Sequence, residues 1–233
     1  MKPVFFLLGM ISIFVTPSLA AYGFAQMIAE IRYVALGDSY TIGTGASLEQ
    51  SWPAVLTRHL QSEGIKINLV ANLAIAGKTA QQVIQEQLPV FEKFHPSFAT
   101  LLIGANDCVQ GVDVNTFAQR LAIVIERMLV VLPQKDRLVV LTIPDFSITP
   151  QGSSWPDPHN LREKIRTFNN VIVQKAASHG LVVVDLYNVS RGMKDDSSLV
   201  SSDGLHPSAK EYAVWEKFIY PTVHQIMQAE KLR

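Results

Sequence analysis

The sequence has 233 residues, enough for one sizeable domain or two cramped ones, and only 17% of them are charged. Formal net charge is zero and no dense Lys/Arg run occurs, which argues against nucleic acid as a partner, because phosphate binding needs clustered positive charge. A single cysteine, Cys108, excludes an intramolecular disulfide framework and a Cys-rich zinc site.

The first twenty residues read as an export signal. Lys2 supplies a positive start, Val4 to Val15 an apolar core, and Ser18-Leu19-Ala20 the small residues of a cleavage site. Cleavage there predicts a secreted or periplasmic protein of residues 21–233, folded as one domain, with no stable membrane insertion. Two other readings stay open. Weak apolarity persists through Ala29, which suits an uncleaved membrane anchor, and Met27 could start a shorter chain with no leader.

A β-prone run, Ile31 to Leu36, stops at Gly37, and Asp38-Ser39-Tyr40 follows at once. That pattern predicts a strand ending in a tight turn which lifts the Ser39 hydroxyl above a sheet edge. Tyr40 to Gln50 reads as a loop and Trp52 to Leu60 as a helix, with Ser51 as N-cap and Pro53 in its first turn. Gly64 closes it. A strand is predicted over Ile65–Ala71, a loop over Asn72–Gly77, and a helix from Thr79 to near Phe94, interrupted at Pro89. Ser97–Ile103 is the third strand, ending in Gly104-Ala105-Asn106-Asp107.

Phe117, Leu121, Val124, Ile125, Met128, Leu129 and Leu132 fall at helical spacing on one face, and Pro133 ends that helix. Leu138–Ile143 reads as a strand covered on both faces. Pro144 to Asn160 is a proline-rich loop. Leu161, Ile165, Phe168, Ile172 and Ala176 mark a helix that Gly180 closes, and Leu181–Asp185 is the fifth strand. After a loop over Tyr187–His206, Pro207 opens a last helix with Tyr212, Trp215, Phe218 and Ile219 inward. Five strands alternating with helices predict an α/β fold with a parallel sheet covered on both faces.

In such a sheet, functional groups gather beyond the carboxyl ends of the strands. A serine there is a poor nucleophile without a base and without donors for the oxyanion. His206 is the candidate base. Asp203, three residues earlier, can bond the ring and fix its tautomer. The N–H groups of Ser39 and Gly77 and the Asn106 amide are candidate oxyanion donors, and Gly77 has no Cβ to block a carbonyl. Taken singly, each residue has an ordinary reading: Asn106 as a loop cap, His206 as a surface residue, Asp203-Gly204 as a turn. Asp38 and Asp107 are expected to bind loop N–H groups, and Cys108 to be packed. His59, His95, His159, His179 and His224 are scattered as surface residues without metal-ligand spacing, so neither metal nor cofactor is implied.

Gly-Asp-Ser-Tyr at 37–40, Asn-x-x-x-x-Gly at 72–77, Gly-x-Asn-Asp at 104–107 and Asp-x-x-His at 203–206, in this order, resemble the SGNH (GDSL-type) hydrolases. The resemblance runs from about Arg32 to the final helix. It implies a flavodoxin-like three-layer α/β/α sandwich and a serine esterase that cleaves carboxylic esters through an acyl-enzyme. Carried over by motif, it gives Ser39 the role of nucleophile, His206 that of base with Asp203 as partner, and Ser39, Gly77 and Asn106 the oxyanion hole. Tyr40 stands where many relatives have Leu. The substrate class is a small-molecule, lipid or carbohydrate ester. Acyl transfer to a sugar or lipid alcohol and a catalytically silent binding module are the alternatives. The 144–160 and 187–202 segments are expected to wall the pocket.

Overall fold

A computed structural model describes residues 30–230 of the chain. The predicted export signal, residues 1–20, lies outside that range. In chain order the elements are β1 (Ile31–Gly37), α1 (Ser39–Ile42), α2 (Trp52–Ser62), β2 (Ile67–Asn72), α3 (Ala80–Gln82), α4 (Leu88–Phe91), β3 (Phe98–Leu102), α5 (Ala105–Val109) and α6 (Val114–Val131). There follow β4 (Leu138–Leu141), α7 (Pro150–Ser153), α8 (Pro158–Ser178), β5 (Val182–Val184), α9 (Leu186–Val189) and α10 (Ala209–Glu230).

The five strands form one all-parallel sheet in the order β2-β1-β3-β4-β5. The chain steps one way from β1 to β2 and the other way from β3 to β5. Right-handed crossovers therefore place α2 on one face and α6 and α8 on the other. The packing agrees: α2 lies against α10, and α6 against α8. This is the three-layer flavodoxin-like arrangement, in which the strand order reverses between β1 and β3. β3 and β4 are buried along their whole length, as their unbroken apolar runs require, while Val182 in edge strand β5 is 39% exposed.

The helices follow their patterns closely. Phe117, Leu121, Val124, Ile125 and Met128 are the buried stripe of α6, and Asp113 caps it by accepting from the N–H groups of Asn115 and Thr116. Asp157 caps α8 with Pro158 in its first turn.

The short helices α1, α7 and α9 lie in segments expected as loops, and four further expectations need correction. β4 stops at Leu141 because the side-chain amide of buried Asn169 takes both backbone groups of Ile143 (2.7 and 2.9 Å), which leaves none for the ladder. β2 starts at Ile67 because the Ile65 N–H is used by the Leu60 carbonyl at the end of α2 (3.1 Å). The helix expected from Thr79 is a composite: α3, a wide π turn over Val83–Gln87, then α4. Pro89 has no N–H to close an ordinary helical turn there. In α10, Phe218 is 55% exposed. The inward stripe is Tyr212, Trp215, Ile219, Val223 and Met227, and its four-residue steps after Trp215 leave Phe218 beside it.

Candidate active site

The carboxyl ends of β1 and β3 flank the point of reversal, and the motif residues sit there. Gly37 leaves β1 at φ +154°, and a Cβ on it would lie 2.2 Å from the Leu102 carbonyl oxygen, so only glycine lets the two strand ends approach this closely. Asp38 follows, fully buried, and its Oδ1 accepts the Tyr40 N–H (3.1 Å), which caps the short helix α1 that begins with Ser39. Ser39 is 7% exposed.

The loop after β2 is stitched to this turn. The Asn72 amide donates to the Thr41 carbonyl (2.9 Å), and the N–H of Ile75 donates to the Gly37 carbonyl (3.3 Å). That brings Gly77 alongside Ser39. Gly77 has φ +81°, and a Cβ there would meet nothing within 4 Å, so its backbone faces open space. Among the described residues, no acceptor meets the N–H of Ser39 or of Gly77.

Asn106, in α5, donates its amide to the Lys78 carbonyl (3.0 Å) and to Asp38 Oδ2 (3.3 Å). Next to it, buried Asp107 accepts the Ala80 N–H (2.8 Å), which fixes the start of α3. Asp38 and Asp107 thus both serve backbone donors, as their positions suggested. Burial pushes the Asp38 carboxyl up to about 7, with a further push from the Asp107 charge, against the Tyr40 and Asn106 hydrogen bonds.

The Asp203–His206 segment is a tight turn held by one carboxylate. Asp203 Oδ1 accepts from the Ser201 hydroxyl (2.7 Å), the Leu205 N–H (2.8 Å) and the His206 N–H (2.9 Å). Its Oδ2 meets His206 Nδ1 at 2.7 Å. Partial burial works to raise the Asp203 carboxyl, but these donors outweigh it and hold it well below the usual carboxylate range. The turn is pinned from outside by the Ser201 N–H on the His206 carbonyl and the Ser208 N–H on the Leu199 carbonyl, both 2.8 Å. The imidazole lies against the Tyr40 ring (centroids 5.5 Å apart), and no described residue bonds its Nε2.

Ser39, Gly77, Asn106 and His206 all line one cavity of about 210 Å³. Its walls are apolar: Ala76, Ala105, Val109, Phe146, Trp155 and Leu205. The 144–160 segment contributes Phe146 and Trp155, as expected. The 187–202 segment contributes no wall; it is spent on pinning the His206 turn. Among the other histidines, His59 is no bare surface residue. Its Nδ1 meets Glu216 at 2.7 Å and its ring stacks on Tyr220. Cys108 is buried and free.

Sequence reasoning missed Gln87. Its buried amide donates to the Gly37 carbonyl (2.7 Å) and accepts the Gly37 N–H (3.1 Å), clamping the residue before Asp38-Ser39. A glutamine inside a helical pattern carries no signal of this; only the π turn aims it at β1.

The profile of the GDSL-like Lipase/Acylhydrolase family matches residues 35–214. Over 76 residues the chain is 32% identical to Thioesterase 1/protease 1/lysophospholipase L1 of Escherichia coli (strain K12), covering 33% of this chain and 35% of that protein. The chain thus matches about a third of the length of this curated relative. Similar solved structures include TesA (TM-score 0.68, 22% identity, 84% of this chain and 99% of that one). A family 3 carbohydrate esterase of Clostridium thermocellum gives TM-score 0.68 and 25% identity over 86% of this chain and 98% of that one. The psychrotrophic esterase EstA from Pseudoalteromonas sp. gives 0.68 and 18% over 85% and 100%. The chain belongs to the GDSL-like lipase/acylhydrolase (SGNH) family of esterases.

Proposed function

We propose that this chain hydrolyses carboxylic esters of short to medium acyl length through an acyl-enzyme on Ser39. The observation that carries the reading is the shared cavity: a serine hydroxyl, a carboxylate-bound imidazole and unpaired N–H donors border one small apolar space. In the reaction, His206 Nε2 takes the Ser39 proton as Oγ bonds to the ester carbon. The carbonyl oxygen becomes an oxyanion facing the Ser39 and Gly77 N–H groups and the Asn106 amide. Collapse breaks the ester C–O bond, and the proton on His206 passes to the departing alkoxide. Water then repeats the cycle on the acyl-enzyme and returns free acid and Ser39. Asp203, held anionic by its donors, stabilises the imidazolium formed at each step.

A cavity of 210 Å³ is smaller than the roughly 300–1,000 Å³ usual for drug-sized ligands, and its walls offer an acyl chain apolar contact. Among the similar structures is an acetylxylan esterase from Geobacillus stearothermophilus, a precedent for a short acyl group. A fluorophosphonate probe tests the nucleophile. It should label the wild-type chain on Ser39 and leave Ser39→Ala unlabelled; strong labelling of the variant would overturn the assignment.

The same proposal includes export, supported by Lys2, the apolar Val4–Val15 core and Ser18-Leu19-Ala20. N-terminal sequencing of the mature protein should begin at Ala21. An intact Met1 on a membrane-bound protein would replace export with anchoring.

A further inference from the structure

Apart from the cavity of Ser39, which Phe146 lines, a larger one of about 520 Å³ lies between α8 and the β5–α9 corner. Three arginines, Arg162, Arg166 and Arg191, line this second cavity. Beneath them lies fully buried Asp145. Its Oδ1 accepts from the Ser147 hydroxyl, whereas its Oδ2 has no hydrogen-bond partner among the described residues. That oxygen is 3.8 Å from Arg162 Nε and 3.9 Å from Arg191 Nε, attracted by both but too far to bond either.

One buried carboxylate therefore faces two guanidiniums without bonding either. Each is drawn inward by its Nε. No acceptor among the described residues meets Nη1 or Nη2 of Arg162 or Arg191. Two other carboxylates stand on the wall. Glu163 meets Arg166 Nη1 (3.4 Å), and Asp185 accepts from Thr142 Oγ1 (3.1 Å) and from Asn188. The Nη groups of Arg162 and Arg191 therefore remain open to a ligand in this cavity. Their planar forks match oxyanions with two or more oxygens.

We propose that this cavity binds a phosphate group, whether inorganic or carried on a sugar or a lipid headgroup. Its volume exceeds what a bare phosphate needs, and His159, Asn170 and Asn188 supply polar partners for attached oxygens. The site is separate from the cavity of Ser39 and does not depend on the ester reaction proposed there.

Calorimetric titration of the full chain with inorganic phosphate, glucose 6-phosphate and phosphatidylcholine vesicles containing phosphatidic acid tests it, with glucose as the uncharged control. Saturable binding is expected in at least one phosphate arm, weakened by rising salt, about tenfold or more by Arg191→Gln and about fivefold by Arg166→Gln. The arm that binds most tightly identifies the source of the phosphate. Arg166→Gln leaves both partners of Asp145 in place, so it keeps the test decisive if Arg191→Gln unfolds. Turnover of p-nitrophenyl acetate within twofold of wild type reports folding of each variant. No saturable binding in any phosphate arm, or unchanged affinity in the folded variants, overturns the proposal.

Discussion

Asn106 donates its side-chain amide to the buried carboxylate of Asp38, Nδ2 to Oδ2 at 3.3 Å. The bond ties a candidate oxyanion donor to the N-cap of the helix that carries Ser39. It is also long, so a developing oxyanion, a stronger acceptor than a distant carboxylate oxygen, can draw that N–H away.

Removing the amide therefore has two separable effects. Asn106→Ala should lower kcat by about 10²–10³ with KM little changed, the loss of one oxyanion donor. It also leaves Asp38 Oδ2 buried without a donor, which raises the carboxyl further. A carboxyl with a raised folded pKa binds more protons folded than unfolded, so stability falls as pH rises through the folded value near 7. The melting temperature of Asn106→Ala should thus drop further below wild type at pH 8 than at pH 6. Normal kcat would remove Asn106 from the oxyanion hole, and an equal drop at both pH values would contradict the Asp38 link.

Much of this was legible in the sequence because strands and turns are locally coded. Gly37 stops β1 where a Cβ would strike Leu102, and the β3 and β4 runs announce burial by composition alone. The gathering of Ser39, Gly77, Asn106 and His206 followed from placing each motif at a strand's carboxyl end. What escaped depends on contacts between distant segments. Gln87 reaches Gly37 only through a π turn, Asn169 cuts β4 short from another helix, and His59 finds Glu216 across the α2–α10 contact. No local pattern encodes such partners. Phe218 escapes for another reason: its spacing from Trp215 suits an inward face, but beyond Trp215 the stripe runs in steps of four.

Glu211, in the first turn of α10, is buried with only one of its oxygens bonded, Oε1 to the Trp215 ring N–H (2.7 Å). Burial, helped by the charge of Asp196, pushes its carboxyl up to about 7. The unfolded chain ionises this group at lower pH, so its effect is harmless below the unfolded value and destabilising above the folded one. Glu211→Gln keeps the acceptor for Trp215 and removes the charge. Urea unfolding should find it more stable than wild type by on the order of 2 kcal/mol at pH 8, with the gap narrowing as pH falls and closing only below the unfolded value, at about pH 4. A gap independent of pH would mean that Glu211 does not titrate in this range.

Trp155 walls the cavity of Ser39 and packs edge-on to Phe146, centroids 6.3 Å apart. If this indole limits acyl length, Trp155→Ala should open room beyond the ester carbonyl. Each added methylene in an apolar pocket changes kcat/KM by roughly tenfold or more. The ratio of kcat/KM for p-nitrophenyl octanoate to that for the acetate should therefore rise by at least tenfold. A fall on both esters in equal proportion would show that Trp155 supports the loop without setting length.

The turn around His206 gives the sharpest test of the proposed base. Asp203 Oδ1 holds three donors, the Ser201 hydroxyl and the N–H groups of Leu205 and His206, while Oδ2 faces His206 Nδ1. In Asp203→Asn the side-chain carbonyl must take the three donors, because an NH₂ group cannot accept them. The new NH₂ then occupies the Oδ2 position and donates to Nδ1. An Nδ1 that accepts leaves the ring proton on Nε2, the nitrogen that has to take the proton of Ser39. The geometry of the turn survives while the tautomer is wrong for a base. The same exchange in another serine hydrolase lowers kcat by about 10⁴, and a loss of that order is expected here, with KM little changed. The melting temperature should change little, since three of the four hydrogen bonds persist, the fourth only reverses direction, and the side chain of Asp203 is 42% exposed. Activity within tenfold of wild type in a folded Asp203→Asn would show that some other group sets the tautomer of His206.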